Sequence, residues 1–211
     1  MSKKKVGWKK VVAAGIITTS LGLGFWASKA SYTVASVIDG DTFVTKQEIH
    51  IRLDSVDAPE LGNCLGQEAK AELEKLILGK KVYLKITYIN NWRLVASVFT
   101  SGGNVGAKML EKGLATFADK ANQSQPGLLE ISQKAREKGI GVYSPKCTQS
   151  VNTANPQCNI KANISQRGNF YYYPECKAYN IAIVQLHMGD KWFCTEKEAK
   201  AAGFTKSETC P

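Results

Sequence analysis

Two short segments hold most of the side chains that could do chemistry together. The first, Ile38-Asp39-Gly40-Asp41-Thr42, sets two carboxylates on either side of a glycine between apolar runs. The second, Arg52-Leu53-Asp54-Ser55-Val56-Asp57-Ala58-Pro59-Glu60, follows one arginine with three acids. Hard divalent cations take oxygen ligands, and clustered carboxylates with a backbone carbonyl supply them. An arginine beside such a site holds a phosphate through two parallel hydrogen bonds. A glutamate there can orient or deprotonate a water. Together these are the parts needed for metal-assisted phosphodiester cleavage. Each part also has a plainer reading. Asp-Gly between strands is an ordinary hairpin turn, and Glu60 after a proline is an ordinary loop acid. Arg52, flanked by Ile51 and Leu53, points to the face opposite them, where a structural salt bridge with Asp57 or Asp54 is the simple alternative.

The elements that must position these residues are readable from periodicity and punctuation. Tyr32 to Ile38 reads as a strand, Asp39-Gly40-Asp41 as a turn, and Thr42 to Thr45 as the returning strand. A third strand runs from Glu48 to Leu53, and Pro59 breaks the extended pattern. Gly66 to Leu78 is a helix with Ala69, Leu73, Leu76 and Ile77 at helical spacing, stopped by Gly79. Lys81 to Ile86 and Arg93 to Thr100 are strands, and Ser101-Gly102-Gly103-Asn104 is a turn. Val105 to Lys112 and Pro126 to Lys138 are helices, the latter burying Leu128, Leu129, Ile131 and Ala135. Five strands in meander order with interposed helices imply an α+β chain, mainly a β barrel, of the five-stranded OB-fold type with three helices.

The chain has 211 residues and a formal net charge of +10. Six lysines and no acid lie in residues 1–30; without them 22 Lys and Arg face 18 Asp and Glu, leaving +4. This mild excess is compatible with a polyanionic partner without demanding one. Lys3 to Lys10 form a positive start, Val11 to Ala27 run 17 residues without a charge, and Ser28-Lys29-Ala30 ends in a small-x-small pattern. Residues 1–30 therefore read as a signal peptide, or as a membrane anchor through residues 11–27 if uncleaved. Either way the remainder is expected outside the cytoplasm, extracellular or in the envelope. Six cysteines, all after residue 30, favour disulfides there.

The two segments in order and spacing closely resemble the thermonuclease (staphylococcal-nuclease-like) family. The likeness continues in Gly66-Gln67-Glu68-Ala69, in Arg93 with Ala96, in Val105 to Ala115 and in Ala135 to Ser144, covering residues 32–146. The resemblance implies a calcium-dependent nuclease acting on DNA and/or RNA, and the chain is expected to be exported and monomeric. It assigns Asp41 and Asp57 as Ca2+ ligands, Ala58 as a ligand through its carbonyl, and Asp39 as their support. It assigns Arg52 and Arg93 to the phosphate and Glu60 to the attacking water. Two departures stand out. The family has an aspartate or lysine, a tyrosine and a glycine before its second arginine, where this chain has Asn90, Asn91 and Trp92. Tyrosines that stack on a base are replaced by Thr116-Phe117-Ala118-Asp119, whose Phe117 fits a core better. These departures imply weaker binding, or Trp92 as a new stacking surface.

The domain organisation follows: residues 31–147 form the nuclease domain, 148–157 a polar linker, and 158–211 a Cys-rich unit of 54 residues. The last resembles a module at the end of some exported relatives, carried by Cys158 to Ser165, Tyr172 to Cys176 and Lys191 to Cys194. So small a unit needs staples. Of the fifteen possible pairings, the expected one is Cys64–Cys147, Cys176–Cys194 and Cys158–Cys210. A zinc site with His187 is the alternative, opposed by gaps of 17, 17 and 15 residues between the tail cysteines. The rival functions are a non-catalytic OB-fold that binds nucleic acid and an envelope-associated structural protein.

Overall fold

The computed structural model describes residues 31–90, 92–118 and 126–211. The signal or anchor segment, Asn91 and Asp119 lie outside the described residues. The first hairpin joins β1 (Ser31–Val37) to β2 (Thr42–Thr45), with Ile38 N–H donating to Thr42 O at 2.9 Å across the Asp39-Gly40-Asp41 turn. β3 (His50–Leu53) pairs antiparallel with β2, and a two-residue strand, β4 (Val56–Asp57), follows. After α1 (Gly66–Ile77) come β5 (Lys81–Asn90), β6 (Arg93–Thr100) and the short β7 (Gly103–Asn104). α2 (Val105–Glu111) leads to β8 (Thr116–Phe117), which pairs with β4, and α3 (Pro126–Glu137) closes this part.

Five strands form the expected ring, but not as a meander. β5 turns back to pair with β1, and β6 closes the ring by pairing parallel with β3. Short hairpins force neighbours to be antiparallel, whereas the long α1 connection lets the chain cross the barrel end and return elsewhere. Strand alternation then sorts the side chains. Val34, Phe43, Ile51, Leu53, Val82, Ala96 and Val98 point inward and meet Leu73 and Ile77 of α1 and Met109 and Leu110 of α2. Arg52, between Ile51 and Leu53, points out. On α3, Leu128, Ser132 and Ala135 are buried, but Leu129 is 41% exposed, contrary to the sequence expectation. It sits about 100° around the helix from Leu128. Phe117 packs against the barrel core as expected.

The segment from 148 to 157 supplies β9 (Thr148–Gln149) and the buried Asn152, whose amide donates to Cys158 O at 2.9 Å. The C-terminal unit is a small sheet of β10 (Ile160–Ser165), β11 (Gly168–Tyr172), β13 (Lys191–Phe193) and β14 (Thr205–Lys206). Its core is Ile160, Ala162, Tyr171, Ala199 from α4 (Glu196–Ala201) and Phe204. β12 (Val184–Gln185) lies outside this sheet and pairs with β9.

The disulfides are Cys64–Cys147, as expected, with Cys158–Cys194 and Cys176–Cys210, which correct the other two pairings. Ile160 stands opposite Phe193 in the β10–β13 ladder, so Cys158 meets Cys194. Lys177 N–H donates to Thr209 O at 3.0 Å, bringing Cys176 to Cys210. With all six thiols oxidised, no cysteine is available to a zinc ion, and His187 is instead buried beside Cys147. Among the described residues no helix is long and apolar enough to cross a membrane.

Candidate active site

The turn between β1 and β2 buries Asp41 while leaving Asp39 near the surface. Gly40 makes this possible. A Cβ there would come within 2.6 Å of both Ala58 and Ala69, so α1 and the post-β4 loop close directly over the turn. Asp39 Oδ1 accepts from Asp41 N–H at 3.0 Å, an Asx-type bond that fixes the turn. Asp41, 2% exposed, has both oxygens engaged. Oδ1 accepts from Arg52 Nη1 at 2.7 Å and Thr42 Oγ1 at 2.8 Å, and Oδ2 from Ala58 N–H at 3.0 Å.

Arg52 is the hub. Its second amino group donates to Asp57 Oδ1, so one guanidinium joins the turn before β2 to the end of β4. Asp54, the other candidate partner, is buried elsewhere, accepting from Ser55 and from Thr87 Oγ1 of β5 at 2.7 Å. Burial pushes the Asp41 carboxyl up to about 7; Arg52 opposes the shift, Asp39 adds to it, and the Ala58 N–H and Thr42 hydroxyl oppose it.

Arg93 lies on the strand beside Arg52. In the parallel β3–β6 ladder Arg52 stands opposite Val95, so Arg93, two residues before Val95, is on the same outer face. Its guanidinium carbon is 5.7 Å from the centre of the Trp92 ring, and His50 meets that ring edge-on at 4.3 Å. Trp92 is 66% exposed at the tip of the β5–β6 hairpin. Glu60 is exposed on the loop after β4, outside the Arg52 network. A Cβ on Gly66 would lie 2.0 Å from the Glu60 carbonyl oxygen, so the start of α1 is pressed against that loop.

The fold thus gathers Asp39, Asp41, Arg52, Asp57 and Ala58 into one bonded cluster, with Arg93 on the same outer face and Glu60 exposed on the loop three residues after Asp57. Thr42 and the Ala58 N–H also hold Asp41, and His50 packs against Trp92, contacts that the local sequence pattern does not reveal. Thr42 was legible only as the residue after an acid, and the other contacts join segments far apart in the chain. Among the described residues no three His, Cys, Asp or Glu form a cage. The donor set still fits a hard divalent cation. Two carboxylates converge on one cationic group, one of them is too buried to carry its charge unaided, and carbonyl and water oxygens can complete such a shell.

The family model describing staphylococcal nuclease homologues matches residues 50–145, so Asp39 and Asp41 precede the matched stretch. The chain is similar to an uncharacterized endonuclease of Haemophilus influenzae, 32% identical over 140 residues, covering 61% of this chain and 78% of that one. It is also similar to a micrococcal nuclease of Shigella flexneri, 27% identical, covering 64% and 84%. An uncharacterized endonuclease of Escherichia coli is 30% identical, covering 53% and 75%.

Proposed function

The chain belongs to the staphylococcal-nuclease-like family and is a phosphodiester-hydrolysing nuclease, and we propose that it is exported and cleaves DNA and/or RNA in a calcium-dependent reaction at the Arg52 cluster. The observation that carries this reading is the single guanidinium shared by the buried Asp41 and the partly exposed Asp57, with a second arginine on the same barrel face. In this reading Asp41, Asp57 and the Ala58 carbonyl hold the cation, and Asp39 braces Asp41. When bound, calcium supplies Lewis-acid polarisation of a phosphoryl oxygen and a template for in-line attack. Arg52 and Arg93 take the remaining charge that builds on the phosphoryl oxygens. Glu60 accepts one proton of the attacking water as the water oxygen bonds to phosphorus; the P–O5′ bond breaks and the departing 5′ oxygen takes a proton from solvent. The three disulfides are in line with an extracellular setting, and the charged start and uncharged run of residues 1–27 fit an export signal or an anchor.

The direct test is cleavage of single- and double-stranded DNA and of RNA, with calcium and with chelator. Calcium-dependent cutting supports the reading. Binding without cutting would replace it with the non-catalytic OB-fold.

Trp92 supports a nucleic-acid partner for this face, since a base can stack on an exposed indole beside a phosphate-binding arginine. Trp92→Ala is expected to weaken binding of a single-stranded oligonucleotide by about five- to tenfold, with kcat within about twofold. Fluorescence titration against the Trp92→Phe protein checks it, and equal affinity in the Ala variant would remove Trp92 from the interface.

A further inference from the structure

We propose that the C-terminal unit positions the loop carrying Glu60, and that Asn63 is the residue through which it does so. The inference rests on the reading of Glu60 as the group that acts on water.

Glu60 lies on an irregular stretch between β4, which ends at Asp57, and α1, which begins at Gly66. Such a segment has no ladder or helix to fix it, and open loops sample many conformations. Here it is fixed from one side. Asn63 N–H donates to Glu60 O at 2.8 Å, and Asn63 O accepts from Gly66 N–H at 3.0 Å, closing a tight turn directly after Glu60. Leu65 holds a left-handed conformation, φ 65°, unusual for a residue with a branched side chain and stable only when its surroundings impose it.

The two residues before Leu65 are held from the C-terminal unit and the segment leading to it. Asn63 Nδ2 donates to His187 O at 3.3 Å. Cys64 N–H donates to Leu186 O at 3.3 Å. Leu186 N–H in turn donates to Cys147 O at 2.8 Å, and Cys147 is the disulfide partner of Cys64. One short turn, Leu186–Met188, therefore holds consecutive residues of the loop and the far half of the disulfide. That turn is itself rigidly placed. His187 is 5% exposed, and β12 before it pairs with β9. Asp190 after it accepts from the backbone N–H of Ile164 and of Gln185, both at 2.8 Å.

A base that must reach a water within hydrogen-bond distance loses rate steeply when displaced by about 1 Å. The contacts to Asn63 and Cys64 bear on the peptide of Glu60 and on none of Asp41, Arg52 or Asp57. Their loss is expected in kcat and not in substrate affinity.

The test is a double-mutant cycle in the full chain with Glu60→Gln and Asn63→Ala, reading kcat, KM and thermal unfolding. Asn63→Asp serves as a second variant that keeps the size and backbone bonds but removes the donor to His187 O. Expected are a fall in kcat of about tenfold or more for either Asn63 variant, KM within about twofold, and no further loss when Asn63→Ala is added to Glu60→Gln. A merely structural Asn63 would give losses that multiply in the double variant, which overturns the proposal. Wild-type kcat in both Asn63 variants, with Glu60→Gln inactive, overturns it while leaving Glu60 its role. Full activity in Glu60→Gln overturns the reading of Glu60 first, and the proposal with it.

Discussion

Arg52→Ala is expected to lower cleavage by about 10²–10³-fold, the usual cost of removing one preorganised donor aimed at developing charge. The loss has two sources that a second variant separates. Alanine removes the phosphate contact and also strands Asp41 in the barrel wall without its cationic partner. Truncating one member of a well-buried pair costs about 3–5 kcal/mol, and less here because Arg52 and Asp57 are only partly buried. A lower unfolding temperature should therefore accompany the lost activity. Arg52→Lys keeps a positive charge near Asp41 but cannot reach both carboxylates through a planar fork. It should recover most of the stability and little of the rate. Thermal unfolding beside steady-state cleavage checks both. A lysine variant that cuts at the wild-type rate would reduce Arg52 to a structural tie.

That ambiguity was already present in the sequence, and its resolution shows what local pattern can and cannot say. Ile51-Arg52-Leu53 announces an arginine opposite a buried face, because strand side chains alternate whatever the strand pairs with. Which acid it meets depends on chain crossings. Asp54 is two residues from Arg52 and Asp57 five, yet the nearer acid turns to Thr87 of β5, while Asp41, from the preceding hairpin, takes the other half of the guanidinium. The same division runs through the fold. Helices α1 and α2 and the β1–β2 turn depend on neighbours in sequence and were legible. The parallel β3–β6 closure, two of the disulfides and the contact of Asn63 with His187 join residues tens of positions apart. Leu129 failed for a smaller reason, since two adjacent leucines cannot both lie at the centre of one helix face.

Asp41→Asn is expected to flatten the pH dependence of stability while abolishing cleavage. The wild-type carboxyl titrates near 7 in the folded chain because it is buried, against 3.8 when unperturbed. Below about pH 4 it is protonated in both folded and unfolded states and costs nothing. As pH rises from about 4 to about 7 the unfolded chain releases the proton while the folded chain retains it, so stability falls by up to about 1.4 kcal/mol per pH unit. Above about 7 both states are ionised and a loss on the order of a few kcal/mol is complete. The amide has no such slope. It pays a smaller, pH-independent cost, because one side of the carboxamide must set an NH2 group against the Ala58 N–H that Asp41 Oδ2 now accepts. A cation bound at Asp41 competes with that same proton. Added calcium should therefore stabilise the wild type by an amount that grows through the window, and leave the variant unchanged. Urea unfolding from pH 4.5 to 8, with calcium and with chelator, reads all four curves. If the metal-free wild type instead gains stability as pH rises, the Arg52 ion pair outweighs burial, Asp41 is ionised throughout, and the burial of this carboxylate is not what makes the site want a metal.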